Sequence, residues 1–151
     1  GFLAAMAKQP GIKVLSSDKH GGPDESKAIE TGENLIATFG EKIDGIFCSN
    51  ESSTSGMLTV LKRDPRGLFG KVKLVGFDSS GNLVKGMKEG GLFGTVLQDP
   101  VKMGHDAVTA IHAKLTGKQI PARIETGETL ATRENMSEPR VHELLFPLEG
   151  K

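Results

Sequence analysis

Tryptophan and tyrosine are absent from the 151-residue chain, and phenylalanine numbers only 7. That leaves few platforms for stacking nucleobases or the apolar faces of sugars, so any such platform must largely come from elsewhere. The single cysteine, Cys48, has no partner for an internal disulfide, and its place inside an apolar run reads as a small buried packing residue. No charge of one sign is in excess, because Lys+Arg and Asp+Glu both number 19. No field is therefore set up to attract a polyanion or an anionic membrane, and no nucleic-acid partner is expected. No apolar run approaches the ~20 residues of a membrane span, so direct membrane insertion is not expected.

Chemistry-bearing patterns are missing as well. No Gly-x-Ser-x-Gly elbow occurs. His105 and His112 lie two helical turns apart rather than the one turn used to chelate, and His20 and His142 are isolated. Gly67-Leu68-Phe69-Gly70-Lys71 precedes a strand and lacks the spacing of a phosphate loop. Lys62, Arg63, Arg66, Lys71 and Lys73 read as a solvated basic face. No catalytic residue, metal or cofactor is expected, and the chain does not read as an enzyme. Gly1-Phe2-Leu3-Ala4-Ala5-Met6 has neither the basic start nor the cleavage pattern of a signal peptide. It reads as the inside of a helix, so more chain is expected ahead of Gly1.

What is present is an alternation of short apolar runs and amphipathic stretches. Ile12–Ser17, Ile43–Ser49, Lys71–Phe77 and Leu92–Leu97 read as strands. Between them, helices are expected over about Glu25–Phe39, closed by Gly40, Thr54–Arg63, stopped by Asp64-Pro65, and Ser80–Glu89, ended by Gly90-Gly91. The Ile43–Cys48 run is apolar enough for a strand covered on both faces, and Ser52 and Ser53 are expected to cap the helix after it. Asp99-Pro100 opens a longer helix to about Thr116 with an apolar stripe at Val101, Val108, Ile111 and Leu115. Arg123–Ala131 reads as extended, and Ser137-Glu138-Pro139 starts a last helix with Val141, Leu144 and Leu145 inward. The length suits one domain, and the alternation argues a parallel, helix-covered α/β sheet.

Each predicted strand ends in hydrogen-bonding groups: Ser16-Ser17, Ser49-Asn50, Asp78 and Gln98. Right-handed crossovers bring all carboxyl ends of a parallel sheet to one edge, where ligands bind. An amide, a carboxylate and a second amide there suit a polyhydroxylated neutral ligand. Asp78 is the strongest acceptor of the three. Asn and Asp are also common strand-end residues that make turns and cap helices, so each tip taken singly has a purely structural reading.

Ile46-Phe47-Cys48-Ser49-Asn50-Glu51, Val75-Gly76-Phe77-Asp78 and Gly94-Thr95-Val96-Leu97-Gln98-Asp99-Pro100, at these separations, resemble the ribose-binding-protein type of periplasmic sugar receptor. The resemblance extends to Gly1-Phe2 and Pro10-Gly11-Ile12 at the front, and to Ile124–Gly127 and Thr132–Asn135 at the back. It implies one flavodoxin-like lobe of a type I periplasmic binding protein, three layers α/β/α with a mainly parallel sheet, in a single domain over residues 1–151. Residues 99–123 would then be a hinge crossing and a helix that sits on an absent N-terminal lobe. The family's ligand asparagine, aspartate and glutamine fall on Asn50, Asp78 and Gln98, with Ser49, Glu51 and Asp24 as secondary candidates. The family's arginine ahead of the Gly-Phe pair would lie before Gly1, and its aromatic near Gly22-Pro23-Asp24 is missing.

The implied function is monosaccharide binding, without catalysis, for an ABC importer outside the cytoplasmic membrane, with the transporter's permease as a partner. The effector domain of a LacI-type transcription regulator is the rival reading. The stripe on the helix after Asp99 needs cover. It is expected to fold back onto its own sheet, with the absent lobe or a second chain as the other ways to bury it.

Overall fold

The computed structural model describes residues 1–146. Four strands make one sheet in chain order: β1 (Gly45–Phe47), β2 (Lys73–Phe77), β3 (Gly94–Leu97) and β4 (Thr129–Thr132). β1, β2 and β3 run parallel, with Phe47 opposite Val75 and Phe77 opposite Val96. β4 runs antiparallel to β3, pairing Leu97 with Thr129 and Gly94 with Thr132. The sheet is thus mixed but mainly parallel, as an α/β chain with helical crossovers requires.

Among the described residues, six α-helices accompany it: α1 (Phe2–Met6), α2 (Glu25–Phe39), α3 (Glu51–Arg63), α4 (Gly81–Lys88), α5 (Pro100–Leu115) and α6 (Pro139–Leu145). Local signals set the bounds of α2. The Asp24 carboxylate accepts the Lys27 N–H at 2.8 Å, and Gly40 ends the helix at φ 51°. α2 and α3 pack closely because α3 has no side chain at Gly56, where a Cβ would stand 2.6 Å from the Cβ of Ala28.

The core lies between the sheet and α3, α4 and α6. Leu61, Leu74, Leu83, Met87, Leu92 and Leu97 are wholly buried, joined by Ala131 from β4 and by Val141, Leu144 and Leu145 from α6. Truncating any of the wholly buried leucines to alanine would cost about 2–5 kcal/mol. Cys48 is buried as expected, and burial pushes its thiol up to about 12, against a smaller opposing hydrogen bond from Ser53.

Three expectations from the sequence are corrected. Ile12–Ser17 forms no strand, and Ile12 and Val14 are exposed. The loop that follows, Lys19–Gly22, lines a concavity of about 370 Å³ together with β1, and among the described residues β1 pairs only with β2. β1 is consequently an edge strand of three residues rather than a covered one, and Phe47 is half exposed with the ring of Phe2 stacked on it at 5.2 Å. Most consequential for function, α5 does not fold back. None of its residues is buried, and Val101, Val108, Ile111 and Leu115 are 60–82% exposed.

Candidate functional site

The carboxyl ends of β1, β2 and β3 share one edge of the sheet, and the three side chains expected to bind ligand lie at or just past those ends. At the end of β2, Asp78 is the one non-glycine with positive φ among the described residues, at 66°. Aspartate tolerates this left-handed conformation better than most residues, but it is held only where the surroundings over-determine it. Here they do. The Asp78 N–H donates to Val96 O at 2.8 Å, and the Asp78 carbonyl accepts the hydroxyl of wholly buried Thr95 at 2.7 Å.

The structure joins two of the candidates directly. Gln98 Nε2 donates to Asp78 Oδ1 at 2.6 Å, a charge-assisted bond between half-buried side chains. Among the described residues, Asp78 Oδ2 and Gln98 Oε1 have no hydrogen-bond partner, so both acceptors remain open. Both take hydrogen bonds from donors, so O–H groups are their complement.

Asn50 reaches the same edge with its carbonyl side committed. Its Oδ1 accepts the Ser53 N–H at 3.0 Å and the Ser53 hydroxyl, which makes Asn50, not Ser52 or Ser53, the N-cap of α3. The cap orients the amide and leaves Nδ2, with two N–H donors, unpartnered among the described residues. Capping and ligand contact are compatible because they use different ends of one amide.

A buried threonine locks this tip to that of β2. Thr54, wholly buried, donates from Oγ1 to Asn50 O at 2.7 Å and accepts the Phe77 N–H at 3.1 Å. The approach is possible only because β2 carries Gly76 at this point, since a Cβ there would lie 2.1 Å from Thr54 Cγ2. An Asn-x-x-Ser start could have exposed the cap in the sequence, whereas nothing local announces the Thr54 strut.

The secondary candidates fare differently. Glu51 opens α3 and is exposed, and Ser49 lies beside Asn50 on the rim of the 370 Å³ concavity. Asp24 caps α2, so its carboxylate is engaged there. Ser16 and Ser17, on an unpaired segment, end no strand; Ser16 donates instead to Asp18 at 2.9 Å. A second concavity of about 580 Å³ lies between Leu15–His20 and α2, and neither hollow is lined by Asp78 or Gln98. The Asp78–Gln98 pair therefore sits on an open edge of the sheet, outside both hollows. Among the described residues, no cluster of three or more His, Cys, Asp or Glu side chains could hold a metal ion.

Immediately past Gln98, Asp99 caps α5, taking the Lys102 N–H at 2.9 Å on Oδ1 while Oδ2 pairs with Arg140. The Lys102 amide, and after it the Arg140 guanidinium, hold the Asp99 carboxyl below the usual carboxylate range.

The mainly parallel α/β sheet carries amide and carboxylate groups past its strand ends, the edge at which open α/β sheets bind ligands. Residues 1–119 match the family described as periplasmic binding protein domain, and the chain belongs to it. The chain is 32% identical over 101 residues to the ribose import binding protein of Haemophilus influenzae, covering 67% of this chain and 33% of that protein. It is 33% identical over 99 residues to a xylitol-binding protein of Mycolicibacterium smegmatis, covering 66% and 27%. Among solved structures, a carbohydrate transporter solute binding protein from Agrobacterium radiobacter in complex with D-arabinose superposes with a TM-score of 0.83 at 32% identity. That match covers 95% of this chain and 48% of the other. The chain thus spans about a third of the curated relatives it matches and about half of the solved structure.

Proposed function

We propose that this chain is the second-lobe portion of an extracytoplasmic receptor that binds a monosaccharide and delivers it to the permease of an ABC importer, with no catalytic step. The observation that carries the reading is the Asp78–Gln98 pair at the carboxyl edge of the sheet, with the Asn50 amide on the neighbouring tip, in a chain of the periplasmic binding protein domain family. Relatives named for ribose and xylitol, and a neighbour holding D-arabinose, support a small polyol as ligand. Asn50, Asp78 and Gln98 bond its hydroxyls, and Ser49 and Glu51 flank them.

The open edge implies a second lobe. A small ligand needs most of its surface buried, and one lobe buries only one side of it. α5 supports the same conclusion from the other direction. Its uncovered stripe, roughly 250–300 Å² of apolar surface, forgoes about 6–8 kcal/mol while it faces water. A first lobe lying over residues 99–123 would cover the stripe and close on the sugar together; a second chain would cover the stripe alone.

The test uses a two-lobed form, with a relative's first lobe fused ahead of Gly1, titrated calorimetrically with ribose and related pentoses and hexoses. Asp78→Ala should weaken the tightest sugar by ~2–4 kcal/mol, roughly 30- to 1,000-fold, because its hydroxyls lose their charged acceptor in a closed site. Unchanged affinity would overturn the assignment. The chain by itself should bind the same sugar far more weakly, and a micromolar constant for the isolated monomer would count against the half-site.

A further inference from the structure

The residue after each member of the strand-tip pair is tied to the same short helix. Behind Asp78, the Ser79 hydroxyl donates to the carbonyl of Leu145, at the last residue of α6, at 2.7 Å. Behind Gln98, the Asp99 carboxylate pairs with Arg140, in the first turn of α6. Arg140 also donates to Glu143 Oε2 at 2.8 Å, so its half-exposed guanidinium contacts two carboxylates. Seven residues of helix span about 10 Å, enough to reach from one strand tip to the next.

We infer that α6 is a clasp that sets the spacing of the Asp78–Gln98 pair, with Ser79 and Arg140 as positioning residues for sugar binding; this rests on the reading of that pair as the sugar site. The clasp is stiff because its inner face, Val141, Leu144 and Leu145, is buried in the core. It is also placed from below: after β4, Asn135 closes the turn by accepting the Thr132 N–H at 2.7 Å and donating to Leu130 O at 2.9 Å. With both ends anchored, the left-handed Asp78 and the capped hinge at Asp99 cannot drift apart. The 2.6 Å bond between Oδ1 of Asp78 and Nε2 of Gln98 is the quantity the clasp protects. Arg140 has a second reach, because the carboxylate it holds also caps α5 and so sets the direction in which the chain leaves the lobe.

The experiment is nuclear magnetic resonance on the 151-residue chain without sugar, following water exchange of the Gln98 side-chain amide protons. Ser79→Ala and Arg140→Met, singly and together, are compared with Arg140→Lys, which restores a cation, and with Val141→Ala, which loosens the packing of α6 but leaves both ties. Exchange at Gln98 Nε2 should rise roughly tenfold in the double variant, the scale of one hydrogen bond lost. The single variants should fall between, and Arg140→Lys should recover part of the protection. Val141→Ala should lower the stability of the whole fold without singling out Gln98. Gln98 exchange that stays at the wild-type rate, or that rises only in step with the backbone amides of the core, would overturn the clasp. No sugar enters this measurement, so its failure is distinguishable from failure of the Asp78→Ala titration.

Discussion

Placing a methyl group on Gly76 tests the strut that ties the tip of β1 to the tip of β2. The new Cβ would stand 2.1 Å from Thr54 Cγ2 and 2.8 Å from its Oγ1, while Thr54 is wholly buried and has no room to retreat. Forcing a side chain out of a packed position costs about 1–3 kcal/mol. Turning Thr54 also breaks its bonds to Asn50 O and from the Phe77 N–H, each worth about 1 kcal/mol, so Gly76→Ala should lose ~3–5 kcal/mol of stability. Urea unfolding followed by circular dichroism measures it. The diagnostic arm is Thr54→Ser in the same background. It deletes the methyl at 2.1 Å and keeps the hydroxyl, whose 2.8 Å approach still asks for a small shift, so about half of the loss should return. A Gly76→Ala chain within about 0.5 kcal/mol of wild type, or a double variant no better than the single, would refute the strut.

Two further outcomes follow from the hinge and from α5. Because Asp99 titrates below its unfolded value, its contribution is present above the ordinary carboxylate range and is lost as pH falls through the lower folded value. The Lys102 amide should therefore lose exchange protection as pH falls below the ordinary carboxylate range, and Asp99→Asn, which keeps the cap, should abolish that dependence; protection unaffected by acid in the wild-type chain would be the contrary result. On α5, Val108→Glu and Ile111→Glu should change the stability of the isolated chain by no more than about 0.5 kcal/mol, since both side chains face water, yet should impair assembly with a first lobe. A loss of several kcal/mol on unfolding would mean that the stripe packs within this chain.

Much of the architecture was legible residue by residue. Gly40 closes α2, Asp99-Pro100 opens α5, and the apolar runs before Asp78 and Gln98 form strands, because glycine stops, caps and side-chain periodicity act within a few residues. The same signals brought Asn50, Asp78 and Gln98 to one edge, since parallel pairing of β1, β2 and β3 leaves their carboxyl ends no other arrangement. Ile12–Ser17 shows where such reasoning stops. Its alternation is strand-like, but a strand exists only with a partner at about 4.8 Å, and whether one is there is decided by chain far away in sequence.

The tertiary structure alone decided the rest. It bonded Gln98 to Asp78, set Thr54 between Asn50 and Phe77, and brought α6 from the far end of the chain to grip both strand tips. It also turned α5 outward, against the expectation that an apolar stripe returns to its own sheet. Periodicity says which face of a helix must be buried; which surface buries it depends on the partners that long-range packing supplies.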